Sequence, residues 1–523
     1  MGSPLSGDVE GYLERSARGA FILLIGKILS TAFSALAVIL IARLIGSRAY
    51  GHVSMAMIPV SIAVLLSDPG VSAGLTRHIA YYMAVRRQGD IPPLLKAGLG
   101  LNLLLSLLFS LLIYLLSSSI SGLFNEPAIE GLIRFASLYI VVNTLLMTSQ
   151  AVFTGFERME LYTLTSVVYS ILRCIFSIIL ILIGLGALGA IAGNVSATAL
   201  SALLAILLII PYLRHSSNGS LDIPTATSLL LSYGSPLFVS NLLTVGLNQL
   251  YSFLLASHVE AYVMGNYQAA VNFSALLGLL TVPITTALFP LFSKLDRGML
   301  KEAFQISVKY TAFLLIPATL LLVAVSREVV WIVYGESYQL ASRYLALYLL
   351  NFLFIGLGGL SVANLLNGQG ETKVVLHMRL LNLLLGLPLA VFLIPRFGVI
   401  GLIATLIISP RLGLLYGLYW IWRNYGFTVD FKSSCKIYLS AGATFLTVWL
   451  LLISLHLYPW ASLLLGASLY ILLYILFTVI FRLLDDRDLR NLRRMVRALG
   501  PLSTIFNPLL SLLETLLGGL IPS

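Results

Sequence analysis

Residues 42–56 read ARLIGSRAYGHVSMA. Two arginines, two glycines and a tyrosine interrupt stretches built almost wholly from Leu, Ile, Val, Ala and Phe. A polar corner between two apolar runs of roughly 20 residues is what a chain needs to leave a bilayer and re-enter it. Working outward from this corner, the same alternation continues to the far end of the chain. The sequence predicts fourteen membrane spans: about 20–42, 51–76, 94–116, 132–154, 162–184, 187–211, 230–256, 264–292, 306–326, 343–366, 373–394, 398–422, 437–456 and 459–481.

Composition agrees. Of 523 residues, 59% are hydrophobic and only 10% charged, with a mean hydropathy of +0.97. A soluble chain keeps roughly a quarter of its residues charged, so most of this surface faces lipid. The expected class is therefore an all-α polytopic membrane protein. The net charge of +11 sits between apolar runs, which points to membrane topology and anionic lipids and away from nucleic acid. Of the 32 Lys and Arg residues, 23 fall in loops on the N-terminal side and five on the other side. An even span number and that asymmetry place both termini in the cytoplasm, and put residues 42–56 at the outer face. Cys174 and Cys435 predict no disulfide framework. The six histidines show no zinc spacing, and no metal or cofactor is expected. The N-terminal MGSPLSGDVEGYLERSARGA lacks the short apolar core of a cleaved signal peptide.

The corner has a distant echo. Gly51-HVSM-Ala56 resembles Gly265-NYQA-Ala270 at an offset of 214. Gly155-FERME resembles Gly368-QGETK at 213, and Gly186-ALGAIA resembles Gly398-VIGLIA at 212. Three near-equal offsets in the same order map spans one to six onto seven to twelve. Six spans per repeat is even, so the halves are parallel, related by a pseudo-two-fold axis along the membrane normal. The expected organisation is a six-helix lobe at 1–220, a second at 221–425, two added spans at 426–482 and an amphipathic tail at 483–523. A central cavity would lie between two such bundles.

ARLIGSRAYGHVSMA, SDPGVSAGLTRHIA, TGFERMELYTL and VMGNYQAAVNFSALLGLLTVPITTALFPLFSKL together resemble the polysaccharide flippases of the multidrug/oligosaccharidyl-lipid/polysaccharide exporter superfamily. The resemblance runs from about residue 15 to residue 425, with two spans added. It implies translocation of a lipid-linked oligosaccharide from the inner to the outer leaflet by alternating access, without enzymatic chemistry. The glycan head would cross through the cavity while the polyprenyl tail stays in lipid.

Ionisable residues inside a span cost roughly 2.5–3.5 kcal/mol each on insertion scales, so each needs a reason. Arg173, in YSILRCIFSI, lies about 18 Å along its helix from Leu161 and is read as facing the cavity, against an interhelical hydrogen bond. Lys27 either snorkels to the interface or pairs with Asp68 on the neighbouring span. Pro69 and Gly70 should break the helix beside Asp68, which is also the one clear acidic group for ion coupling. Arg411, after Pro410, is equally deep and is divided between a binding and a structural role. Arg77 stands where an incoming phosphate would arrive, or anchors the span. Asn241, Asn248 and Gln249 fall on span seven, with Asn241 and Asn248 seven apart and so on one helix face. They offer hydrogen bonds to sugar hydroxyls, or polar contacts between helices.

Deep basic groups outnumber deep acids. That suits a phosphate or pyrophosphate linker, whereas a cation antiporter would place carboxylates near the midplane. The leading expectation is a monomeric lipid-linked oligosaccharide flippase. The alternative is a cation-coupled small-molecule or multidrug exporter of the same fold. A membrane glycan polymerase or ligase would need a larger outer loop. Asn218-Gly-Ser is a sequon in a predicted cytoplasmic loop. Leu489, Leu492, Val496 and Leu499 recur at helical spacing among arginines and predict an interfacial helix held by anionic headgroups.

Overall fold

A computed structural model describes residues 6–213, 221–455 and 457–498. The sequon at Asn218 and the apolar stretch 507–523 lie outside them. The described chain is helical: α1 (Ser6–Leu66), α2 (Val71–Ala84), α3 (Ile91–Leu123), α4 (Glu130–Gly155), α5 (Met159–Leu180), α6 (Gly186–Leu213), α7 (Ile223–Asn241), α8 (Leu247–Ala256), α9 (Ala261–Lys294), α10 (Arg297–Ala324), α11 (Ser326–Tyr334), α12 (Ala341–Leu349), α13 (Ser361–Gly368), α14 (Thr372–Tyr425), α15 (Phe431–Leu455), α16 (Pro459–Ile480) and α17 (Asp486–Ala498). Among the described residues, nine helical stretches are long and apolar enough to cross a membrane. A tenth is counted if Ala341–Leu357 and Ser361–Gly368, bent by 48°, form one broken span.

Three of the nine exceed one crossing: Gly26–Leu66, Met159–Leu213 and Thr372–Tyr425, of 41, 55 and 54 residues. Even the shortest would be roughly 60 Å long if straight, twice the hydrocarbon core. Each is interrupted at glycine. Gly46 (φ 77°, ψ 169°) breaks α1, Gly398 (φ 54°, ψ −127°) breaks α14, and Gly184 and Gly186 separate α5 from α6. These are the places where the hydropathy pattern predicts span ends.

Helix α3 shows what the bilayer does to side-chain placement. Leu104, Leu108, Leu111 and Leu115 are more than half exposed and share one face. Asn102, Ser106, Ser110, Ser117 and Ser121 are buried on another. Lipid is as apolar as leucine, so burying leucine gains little there. Small residues let helices approach, and polar groups find partners inside the bundle. Asn102 donates to Thr148 Oγ1 at 2.8 Å, and Ser110 donates to the Ser137 carbonyl at 2.8 Å.

Contacts divide the chain into two compact units, residues 1–269 with 390–402, and 270–389 with 403–523. Within the first unit, α1, α3, α4, α5 and α6 pack together, and α7 lies on α2 and α3. Within the second, α10 packs on α15 and on the 3₁₀ segment Leu350–Leu357. Residues 221–269, which the sequence assigns to the expected second lobe, belong to the first compact unit.

The repeat has a structural counterpart at each of its three matches. Both α4 and α13 end in the same turn. Glu157 and Gly370 take φ of 58° and 80°. The Glu157 and Arg158 amides donate to Thr154 and Phe153, and the Gly370 and Glu371 amides donate to Asn367 and Leu366, all 213 residues on. A Cβ on Gly155 would meet Ile79, and one on Gly368 would meet Phe292, again 213 on. Gly186 (φ 49°, ψ −124°) and Gly398 share a conformation only glycine adopts readily. At the opening corner, a Cβ on Gly51 would lie 1.7 Å from the Ala261 carbonyl oxygen, and one on Gly265 would lie 1.9 Å from that of Ser47. Adding 214 to 47 and 51 gives 261 and 265, so the contact is self-complementary, as a two-fold relation requires.

Helix α17 is a docked element. Asp488 pairs with Lys309 Nζ at 2.5 Å and accepts from Tyr310 at 3.1 Å. Asp485 and Asp488 exchange backbone-to-carboxylate hydrogen bonds at the helix start. Leu489 packs on the α10–α15–α16 core. Burial pushes the Asp485 carboxyl up, but hydrogen bonds from Asp488 and the Lys309 charge outweigh it and hold it below the usual carboxylate range.

Candidate functional site

Arg173 sits midway along α5, half-buried. The phenols of Tyr169, Tyr139 and Tyr50 face its guanidinium. The Tyr169 hydroxyl donates to Asn194 Oδ1 at 3.0 Å, which ties α5 to α6. Arg173 Nε is buried and has no hydrogen-bond partner. No carboxylate pairs with Arg173 among the described residues. Phenolic oxygens satisfy part of a guanidinium. They leave an uncompensated cation with a free donor in the membrane interior, an arrangement complementary to an anion. The charge of Arg173 is visible in the sequence. Its phenolic surroundings are not, because Tyr50, Tyr139 and Tyr169 carry no periodic or charge signal.

Span seven is the least apolar and the least buried of the nine membrane-length stretches. It consists of α7, a π-turn at Leu242–Gly246, and α8. Ser240, Asn241 and Asn248 are exposed, and Gln249 is half-buried. The sequence reading that puts Asn241 and Asn248 on one face assumes a regular helix. The π-turn between them accommodates an extra residue, so seven positions no longer make two whole turns. It also loosens backbone bonds, which side chains take up. Thr244 donates to the Ser240 and Asn241 carbonyls, each at 3.2 Å, and Asn248 donates to the Thr244 carbonyl at 3.0 Å. Exposed polar groups on a membrane-length helix are tolerated where the helix meets water rather than lipid.

The remaining predicted residues divide. Lys27 is exposed and makes no ion pair with Asp68 among the described residues. Asp68 has a different partner: its Oδ1 accepts from the Ser72 amide at 3.1 Å, at the start of α2. The SDPG break therefore frees backbone donors, and Asp68 satisfies one of them. Gly70 (φ 91°) and Gly234 bring α2 and α7 into backbone contact, a Cβ on either falling within about 2.2 Å of the other's carbonyl oxygen. Arg77 stacks on the Tyr233 ring at 4.2 Å, joining the same two helices. Beside it, burial and then the Arg77 charge hold the His78 imidazole below its ordinary range.

Arg411 is a structural tie. Its Nε donates to the Ile407 carbonyl at 2.7 Å, its Nη2 hydrogen-bonds Asn351 Oδ1, and the guanidinium lies 3.6 Å from the Phe354 ring centre. Asn351 and Phe354 belong to the 3₁₀ segment Leu350–Leu357. Tyr438 donates to the Leu353 carbonyl there, and Ser434 donates to that of Gly356 at 2.7 Å. Backbone groups that a broken span leaves open in the bilayer are thus met by side chains of α14 and α15.

One further cluster lay outside the sequence reading. His52 Nε2 is 3.4 Å from Glu126 Oε2, and Glu126 Oε1 accepts from the Ala261 amide at 3.1 Å. This carboxylate caps α9 beside the Gly51–Ala261 contact. Its partners are 74 and 135 residues away, which no local pattern reveals.

The family described as Polysaccharide biosynthesis protein matches residues 16–296, and MatE matches residues 236–392. No curated protein matches the chain. Among solved structures it is similar to the lipid II flippase MurJ in an inward closed conformation, with 18% identity, a TM-score of 0.72, and 88% of this chain and 98% of that one covered. It is similar to an inward-facing multidrug resistance MATE family transporter of the MOP superfamily, with 16% identity, a TM-score of 0.60, and coverage of 77% and 98%. It is also similar to a variant of the Vibrio cholerae MATE transporter VcmN, with 18% identity, a TM-score of 0.52, and coverage of 79% and 98%. At these identities the likeness is one of fold. The first family match spans more than half of the sequence, including the opening corner and the whole of span seven, and the chain is accordingly a multi-pass membrane protein that belongs to the polysaccharide biosynthesis protein family.

Proposed function

We propose that the protein is a flippase that moves a polyprenyl-phosphate- or pyrophosphate-linked oligosaccharide from the cytoplasmic to the outer leaflet by alternating access, as a monomer and without covalent chemistry. Counting each glycine-broken stretch as two spans, and adding the broken span 341–368 and α9 (Ala261–Lys294), gives fourteen, with both termini cytoplasmic. Residues 1–220 and 221–425 are the parallel repeats, followed by the spans of 426–482 and the tail of 483–523.

The observation that carries this reading is Arg173, a guanidinium in the membrane interior with a buried unpaired Nε and no carboxylate beside it. A phosphate linker supplies what it lacks. Asn241, Asn248 and Gln249 of span seven offer hydrogen bonds to sugar hydroxyls. Lys27 and Arg77 lie nearer the cytoplasmic side and meet the incoming headgroup. Asp68, the acid a coupling cation would need, already accepts the Ser72 amide, which weighs against a cation-coupled exporter. Arg411, engaged with Asn351 and Phe354, holds that segment in place and is left out of the binding path.

The test is leaflet accessibility of a fluorescent polyprenyl-pyrophosphate oligosaccharide in proteoliposomes. Wild type equilibrates the lipid. Arg173→Ala slows this at least roughly tenfold, and Arg173→Lys restores part of the rate, since an ammonium keeps the charge but not the paired donors. Flipping by Arg173→Ala at the wild-type rate would remove Arg173 from the path. Gradient-driven efflux of a small cationic dye, with no glycolipid movement, would favour the exporter.

A further inference from the structure

The second compact unit contains a cavity of about 440 Å³ where α10 passes into α11 and where α15 turns into α16. It uses none of the residues assigned above. Its lining combines charged and polar groups with apolar ones. Ser326, Arg327 and Glu328 come from the start of α11, and Trp449, Leu452 and Ile453 from the last two turns of α15. Trp331 is also in the lining and packs edge-on against Tyr458. Charged and polar groups beside apolar walls at the ends of membrane-length helices, with Trp and Tyr among them, match the environment of the bilayer interface. It fits an amphiphile better than a free sugar.

The two charged groups in the lining are not spent on each other. No ion pair joins Arg327 to Glu328 among the described residues. Glu328 Oε2 is buried with no hydrogen-bond partner, which costs free energy unless a donor arrives. Arg327 is exposed and presents donors suited to phosphate oxygens. We propose that this cavity binds one phospholipid whose headgroup carries both a phosphate and a protonated amine. The phosphate meets Arg327, the ammonium donates to Glu328, and an acyl chain lies along Trp449, Leu452 and Ile453. The lipid belongs to the leaflet that meets this end of the spans, the outer one on the topology proposed above. The site stands whether or not the transported lipid is a glycolipid.

Delipidated full-length protein is titrated with palmitoyl-oleoyl phosphatidylethanolamine or with phosphatidylglycerol of the same chains, and bound lipid is counted by native mass spectrometry. Wild type is expected to hold one phosphatidylethanolamine roughly tenfold more tightly than phosphatidylglycerol. Glu328→Gln should erase that preference, and Arg327→Gln should weaken both lipids. Arg327 is exposed, so its variant reports on the phosphate even if Glu328→Gln is poorly recovered. Equal wild-type affinity for the two lipids, or an unchanged preference in Glu328→Gln, would overturn the proposal. Soluble phosphoethanolamine bound as tightly as the lipid would overturn it too, in favour of a small zwitterion.

Discussion

Arg173 and Arg411 are the same residue type at comparable depth, and their surroundings differ. Arg411 spends its donors on Ile407 and Asn351 and its face on Phe354, whereas Arg173 keeps a buried Nε unpaired. The first pattern predicts a stability phenotype. Arg411→Leu leaves the Asn351 side of the 3₁₀ segment without its donor, costing about 1–3 kcal/mol. Thermal unfolding in detergent should show that loss, while flipping per folded molecule stays near wild type. A variant as stable as wild type but unable to flip would instead place Arg411 in the path. The sequence marks both arginines as costly and cannot separate them, because the partner of Arg411 lies 60 residues away. Asp68 shows the same limit. The SDPG break is legible in Pro69 and Gly70, but the acceptor role of Asp68 appears only once the Ser72 amide is in place.

Among elements, the glycine turns were the most legible. Hydropathy falls where Gly46 and Gly398 interrupt the long helices, beside Arg43, Arg48 and Arg396, whereas Gly186 lies in an unbroken apolar run and is marked only by its glycines and by the length of that run. The π-turn in span seven was not legible. Its single extra residue leaves no trace in composition, and it moves Asn248 off the face predicted for it. Gly186 and Gly398 give the sharper test, because their backbone angles agree within 5° and strain there depends on φ and ψ more than on neighbours. Around Gly186 a Cβ would meet nothing within 4 Å, and around Gly398 only Val259, at 3.2 Å. Ala at either position should therefore destabilise by a similar amount, of order 1–3 kcal/mol. Paired melting curves of Gly186→Ala and Gly398→Ala measure this. A loss at one site with none at the other would mean that the two turns are not equivalent.

At the scale of the whole molecule, the repeat was readable from three short matches because each sits at a turn or a close helix contact, where backbone geometry restricts the residue. Between those points the halves diverge freely, since any apolar residue can face lipid. The corner at 42–56 holds the tightest of these contacts, Gly51 on Ala261 and Gly265 on Ser47, with Glu126 bridging His52 and the Ala261 amide. If transport alternates, this seam of the two repeats must close in one state and part in another. A larger side chain at either glycine would then act as a wedge. Gly51→Val and Gly265→Val, being related by the pseudo-two-fold, should both remain folded, both lose flipping by roughly tenfold or more, and both make a cysteine placed at Ser257 more reactive to a membrane-impermeant thiol reagent added from outside. Cys174 and Cys435 are the natural thiols and are replaced by serine in the background. Normal flipping by a folded Gly51→Val protein would show that the seam need not close, and a response from only one of the two variants would show that the contact is structural in one half alone.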